Sequence, residues 1–224
     1  MSTVKICKQT IEVLRNFVSV YTSLKVVKGS TLKTISLGED CIAWYNCPEE
    51  FPVDFKIYDL PQFLQGIALF DDPVLDFESE DYVVIRSGNK RIKYHFAGEN
   101  IQVKEAPAEL ITLPSTDVTF DLDEKDLSYI QKTRTTYKID DLMIRANSSG
   151  CVRIDIADLE NETSTVASID LQGQSTGDYE FPVKVGNLHM LPGDYTVSIT
   201  TAGGGAACWQ HKDLDLQYLI AFEE

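Results

Sequence analysis

Between Val53 and Asp72 the chain changes its hydrophobic period, and few folds can use such a stretch. Val53, Phe55 and Ile57 alternate with Asp54 and Lys56, the pattern of a half-buried strand. The spacing then turns helical. Asp59 can cap a helix, Pro61 is tolerated in its first turn, and Leu60, Phe63, Leu64 and Ile67 share one face. Asp71-Asp72-Pro73 ends it, and Val74–Phe77 resumes as a strand. The unit is strand, short helix, strand.

On either side the pattern is mostly β. Residues 9–22 predict an amphipathic helix with Ile11, Leu14, Phe17, Val18 and Tyr21 inward. Leu24–Val27, Thr31–Leu37 and Cys41–Tyr45 predict a meander, and Tyr82–Arg86 with Lys90–Phe96 a hairpin around Ser87-Gly88-Asn89. Residues 97–115 carry two prolines and no clean period, as an extended connector would. Beyond them the plan begins again. Val118–Leu122 reads as a strand, and Asp123 caps a helix running to about Tyr137 with Leu127, Ile130 and Tyr137 inward. Strands follow at Ile139–Arg145, Cys151–Ala157 and Thr163–Leu171, then a polar loop, Gln172–Asp178. Tyr179–Val183 leads into a helix-like turn through Met190, and Tyr195–Thr200, Cys208–Gln210 and Leu216–Phe222 finish the chain, with Gly203–Gly205 as a hairpin tip. Phe55-x-Ile57 ahead of Leu64 matches Phe181-x-Val183 ahead of Met190 at a constant offset. The chain thus reads as two copies of one α+β plan, residues 1–108 and 109–224.

Composition excludes several classes. No apolar run reaches the length of a membrane span, and the N-terminus has no signal-peptide core, so a soluble intracellular protein is expected. Five scattered cysteines, Cys7, Cys41, Cys47, Cys151 and Cys208, suit buried thiols in a reducing compartment better than a disulfide framework or a zinc site. His95, His189 and His211 lie in separate elements with no nucleophile motif, and Cys208-x-x-His211 offers only two ligands. Gly203–Gly205 lies between strands and lacks the lysine of a phosphate loop. Paired carboxylates such as Glu49-Glu50 read as acidic surface, and Asn161-Glu162-Thr163 matches a glycosylation acceptor with no secretion signal to support it. No enzyme, metal or cofactor is expected.

Net charge is −15, which argues against gripping nucleic acid by bulk attraction. The cations are nevertheless organised. Lys5, Lys8 and Arg15 belong to the first helix region, and Lys125, Lys132 and Arg134 to its counterpart. Within each set one pair is seven residues apart, within about 20° around a helix. If these helices share one side of the sheets, the chain is acidic outside with a basic helical inside, as a ring that slides on DNA requires.

The segments Lys8–Phe17, Phe55–Leu64, Asp126-Leu with Lys132 and Ile139-Asp140, Met190–Tyr195 and Tyr218–Glu223 occur in order along nearly the whole chain. In them it resembles the DNA polymerase sliding clamps, those of T-even-type bacteriophages above all. The resemblance implies a ring-forming DNA clamp fold, with two similar domains per chain, each of antiparallel sheets and two helices, and six domains per ring, hence a homotrimer. It implies a processivity factor that encircles double-stranded DNA without sequence preference and tethers the replicative DNA polymerase, with a clamp-loader ATPase as second partner, in the cytoplasm of the infected host. Subunit edges are then expected at Lys90–Phe96 (Arg91, Ile92, Lys93, Tyr94, Phe96) and Thr163–Leu171 (Thr165, Val166, Ala167, Ile169). A partner-peptide pocket is expected at Leu110, Ile111 and Leu113 with Tyr218, Leu219 and Ile220. The competing reading is a β-rich phage structural or assembly protein that pairs edges without DNA; a hydrolase lacks any supporting constellation.

Overall fold

The computed structural model describes residues 2–161 and 163–222. It divides into two compact units, the first ending at Glu109 and the second beginning at Leu110. The first contains β1 (Ser2–Lys5), α1 (Lys8–Val20), β2 (Leu24–Val26), β3 (Gly29–Ile35), β4 (Cys41–Phe51), β5 (Phe55–Ile57), α2 (Leu60–Ala68), β6 (Val74–Phe77), β7 (Tyr82–Ser87) and β8 (Lys90–His95). Antiparallel pairing joins β1-β6-β7-β8, β3-β4 and β2-β5. With β2 beside β3 and β1 beside β4, the spatial order is β5-β2-β3-β4-β1-β6-β7-β8.

The second unit contains β9 (Val118–Leu122), α3 (Glu124–Tyr137), β10 (Asp141–Ala146), β11 (Cys151–Ile156), β12 (Ala167–Ser175), β13 (Tyr179–Lys184), β14 (Tyr195–Thr200), β15 (Ala206–His211) and β16 (Leu216–Ala221). Its ladders run β13-β10-β11-β12-β9-β14-β15-β16, all antiparallel. The two orders are the same element for element, with the opening strand of each unit seated between its fourth and sixth strands. α1 packs on β3, β4 and α2, and α3 packs on β11, the counterpart of β3.

The short helix distinguishes the copies. α2 is capped by Asp59, whose Oδ1 accepts from Gln62 N–H at 2.8 Å, and it buries Leu60, Phe63, Leu64 and Ile67. Its counterpart is a single 3₁₀ turn, Val185–Asn187, with no side-chain cap. Gly186 and Asn187 are poor helix formers, so one turn is all that forms. Phe181, Val183 and Met190 are nevertheless buried like Phe55, Ile57 and Leu64.

Several local expectations are corrected. β1 has no counterpart among the predicted strands, and the helix at α1 begins at Lys8. Its buried face is Thr10, Val13, Leu14, Phe17 and Val20, while Ile11, Val18 and Tyr21 are only half-buried. Tyr137 points outward, 56% exposed at the end of α3. The supposed loop at Gln172 is strand: β12 pairs with β11 through Gln172 and then crosses to β9 from Gly173. Only glycine allows that crossing, because a Cβ at Gly173 would lie 2.4 Å from the Thr119 carbonyl oxygen. Cys41 and Cys47 are buried, with thiols pushed up to about 12 chiefly by desolvation, but Cys7, Cys151 and Cys208 are half-buried. The Asn161-Glu162-Thr163 acceptor and the tail at Glu223 include positions outside the described residues.

Glu49 is not acidic surface. It is 7% exposed on β4, and its carboxylate accepts from the Cys7 backbone N–H and from the Thr10 hydroxyl, each at 2.6 Å. A buried carboxylate thus closes the N-terminus of α1, where the helix dipole favours negative charge. The Glu49→Gln variant presents an amide NH₂ to at least one of these donors. Leaving a buried donor unpaired costs about 1–3 kcal/mol, to be read as a lower denaturation midpoint in urea.

Pro192-Gly193-x-Tyr195 is likewise a packing motif. Tyr195 is fully buried, its hydroxyl donates to the Leu191 carbonyl at 2.5 Å, and the Tyr218 hydroxyl accepts from Leu191 N–H at 3.1 Å. Gly193, at φ +150°, passes so close to His211 that a Cβ would lie 2.3 Å from Nε2. Gly193→Ala therefore combines overpacking with backbone strain and should cost about 3 kcal/mol, measurable by thermal unfolding.

Candidate nucleic-acid interface and assembly edges

The helix caps fix where the cations of α1 and α3 point. Cys7 caps α1, its Sγ accepting from Thr10 N–H, and Asp123 caps α3 through Asp126 N–H at 2.8 Å. Burial of Val13, Leu14 and Phe17 turns Lys8 and Arg15 outward; burial of Leu127, Ile130 and Thr133 does the same for Lys125 and Lys132. These four are exposed and, among the described residues, make no ion pair. The other two sequence candidates differ. Lys5 lies on β1 rather than on the helix and pairs with Asp72 at 2.9 Å. Arg134 is half-buried and its Nε donates to Asp140 at 3.1 Å.

Two further groups stand outward on α3 or at its end. Tyr129 is 45% exposed, four residues after Lys125 and three before Lys132, so it shares their stripe. Lys138 is exposed at the C-terminal end of α3, in the left-handed conformation at φ 56°. Sequence reading missed the first because a lone tyrosine carries no charge signal. It missed the second because nothing in a lysine announces a left-handed cap.

Most cations of the sheets are neutralised locally. Arg86 pairs with Asp76 at 3.1 Å, Arg153 with Asp170 at 2.7 Å, and Arg145 with both Asp155 and Glu180. β8 departs from this. Lys90, Arg91 and Lys93 have no acidic partner among the described residues, and Arg91 stands directly opposite Arg86 on β7. Like charges across a ladder destabilise an isolated hairpin. Lys93, opposite Val84, lies 3.6 Å from the centre of the Tyr82 ring, a cation–π contact within the hairpin.

β8 is also the end strand of β1-β6-β7-β8. Ile92, Tyr94 and Phe96 turn the other way. Tyr94 stacks edge-on against Phe63 at 5.0 Å and donates to the Asp59 carbonyl, and Phe96, just past the strand, stacks on Phe55 at 4.8 Å. In the second unit, residues 167–172 of β12 pair, among the described residues, with β11 alone, because β9 engages the strand from Gly173 onward. Ala167 and Ile169 lie in that half-paired segment, and Thr165 and Val166 just before it are exposed. β13, at the end of the second ladder, carries Pro182, which cannot donate to a further strand.

At the predicted pocket the residues separate. Leu110 and Ile111 are 43% and 41% exposed and Leu113 is half-buried. Tyr218 and Ile220 are fully buried in the second unit and cannot line a surface pocket; of the three residues expected from that strand, Leu219 is half-buried and has surface. Alternation along β16 is the reason: its apolar inward positions are core.

The family described as gp45 sliding clamp, C terminal, matches residues 119–224. The sliding clamp of Vibrio phage KVP40 is 31% identical over 98% of this chain and 99% of its own length. The chain belongs to the sliding clamp family. Its fold agrees with that of distant clamps: the proliferating cell nuclear antigen of Entamoeba histolytica superposes with a TM-score of 0.73 at 14% identity, covering 99% of both chains. That of A. fulgidus, solved with the C-terminal region of FEN-1 bound, gives 0.72 at 13% identity, over 100% of this chain and 99% of that one. The clamp is thus a DNA replication processivity factor of the bacteriophage type, and the reading as an edge-pairing structural protein without DNA is not favoured. Among the described residues no helix is long and apolar enough to cross a membrane.

Proposed function

We propose that three copies of this clamp close head to tail into a ring around double-stranded DNA. α1 and α3 line the hole, and the replicative polymerase is tethered to the outside. The observation that carries the reading is the distribution of unpaired cations. Lys8, Arg15, Lys125 and Lys132 stand free on the two equivalent helices of a chain of net charge −15, while most sheet cations are paired. Lys5 and Arg134 face the same DNA more weakly, their charge offset by Asp72 and Asp140. Phosphates would be held loosely, without reading bases, and topology rather than affinity would retain the duplex.

Subunits would join by adding β8 of one copy to the half-paired segment of β12 in the next. Arg91 and Lys93 would then approach a stretch bearing Asp158 and Asp170, the latter shared with Arg153, with Thr165, Val166, Ala167 and Ile169 beside the seam. Complementary charge and a shared ladder would satisfy both exposed edges. Domains 1–108 and 109–224 act as the repeating units. Polymerase and a clamp-loader ATPase would dock linear peptides on Leu110, Ile111, Leu113 and Leu219. The clamp works without catalysis or cofactor, inside the infected cell. Sedimentation should give a mass near three times the 25.1 kDa chain, and the clamp should extend polymerase runs on a primed template. A persistent monomer that fails to assemble on loading, or an unchanged run length, would overturn the proposal.

A further inference from the structure

The connector has almost no structure of its own, so something else must fix where Leu110 and Ile111 stand. Between residues 97 and 117 the one buried residue is Val103. Four lysines of the first unit supply side-chain attachments. Glu105 is bridged by Lys25 at 2.8 Å and Lys56 at 4.0 Å, and Lys104 donates to the Leu37 carbonyl at 2.6 Å. The final attachment is Lys33 on β3. Its ammonium donates to the carbonyls of Pro107 at 2.6 Å and Ala108 at 3.0 Å and lies 4.9 Å from the centre of the Trp44 ring. Beyond it, among the described residues, 109–114 make no hydrogen bond or ion pair, until Ser115 meets Thr200 at 2.8 Å.

We propose that Lys33 is the latch that positions the connector for partner docking, which rests on the reading that partner peptides bind at Leu110, Ile111 and Leu113. One charged group joins two successive carbonyls that no ladder satisfies, and charge-assisted bonds are the stronger kind. Burial and the nearby Lys25 lower the Lys33 pKa, and Glu105 opposes that shift. The Lys25–Glu105–Lys56 arrangement thus pins the chain, and within it Glu105 alone favours the charged form of Lys33. With the chain held through Ala108, a docking peptide has only the short free stretch to order, and ordering backbone costs about 1–2 kcal/mol per residue. Lys33 is a positioning residue; it need not touch the partner.

The test uses full-length clamp with Lys33→Met, which keeps the stem and removes the donors, and Lys33→Gln as a second variant should the first fail to fold. Lys33→Arg serves as the conservative control. Hydrogen exchange reads the connector directly. Affinity is measured for a synthetic peptide copying the C-terminus of the cognate polymerase. Faster exchange over residues 104–111, about tenfold weaker peptide binding, an unchanged assembly mass and recovery of both readouts in Lys33→Arg are expected. Unchanged exchange would overturn the latch, and faster exchange with unchanged affinity would overturn its role in docking. If wild-type clamp bound no peptide, the docking reading itself would fall, and the positioning role with it, while exchange would still judge the latch.

Discussion

Replacing Lys8, Arg15, Lys125 and Lys132 together with alanine should leave assembly intact and sharply reduce the salt dependence of DNA retention. Each phosphate-neutralising cation contributes about 0.9 to the slope of log K against log salt, so the slope should fall by about 3–4 for each chain of the ring whose four cations meet phosphate. Between 50 and 200 mM salt that corresponds to about a hundredfold smaller change in binding. The four side chains are exposed, outside every ion pair among the described residues, and away from the buried faces of α1 and α3, so their loss should cost little stability. The decisive measurement is the dwell of the assembled clamp on linear DNA across a salt series, with sedimentation run alongside. An unchanged slope would mean that the basic helix faces do not meet phosphate. Lys5 and Arg134 make a useful contrast: already paired with Asp72 and Asp140, each should contribute less than a free helix lysine.

The second large effect concerns assembly. Arg91→Glu with Lys93→Glu should convert the ring to monomers at micromolar concentration while each unit stays folded. The wild-type edge tolerates Arg91 opposite Arg86, an arrangement that a free hairpin gains nothing from. Reversal removes attraction to the acidic flank of β12 and replaces it with repulsion. Like charges juxtaposed across an interface cost several kcal/mol, so dissociation should strengthen by roughly a hundredfold or more. Sedimentation velocity with circular dichroism checks it. A stable trimer would place the seam elsewhere. An unfolded chain would mean that the charges serve the hairpin itself, where the Tyr82 contact of Lys93 is at stake.

Much of this architecture was legible because local signals agreed with one another. Asp59 and Asp123 cap their helices as their positions suggest, and Val74–Phe77 and Val118–Leu122 are strands at the expected residues. The free cations of α1 and α3 were legible for the same reason, since helical spacing alone separates Lys8 and Arg15 from the apolar face. Where the pattern is weak, as in Gln172–Ser175, a strand went unrecognised. Its pairing depends on a close backbone approach at Gly173, which no periodicity encodes.

The sequence by itself determined the repeat, the outward placement of Lys8, Arg15, Lys125 and Lys132, and the family, because these follow from spacing and order along one chain. Tertiary structure decided which charges are free and which are already matched. Lys5 and Arg134 look like Lys8 and Lys132 in sequence, and only the folded partner carboxylates tell them apart. The same holds for Glu49, which reads as solvated acid and is a buried acceptor at the N-terminus of α1. Tyr218 and Ile220 belong with it: their apolar character predicts burial in general but not whether core or partner supplies it. The physical reason is common to all of them. Periodicity is a property of neighbours in the chain, whereas the charge balance and exposure of a side chain depend on groups brought beside it from tens of residues away.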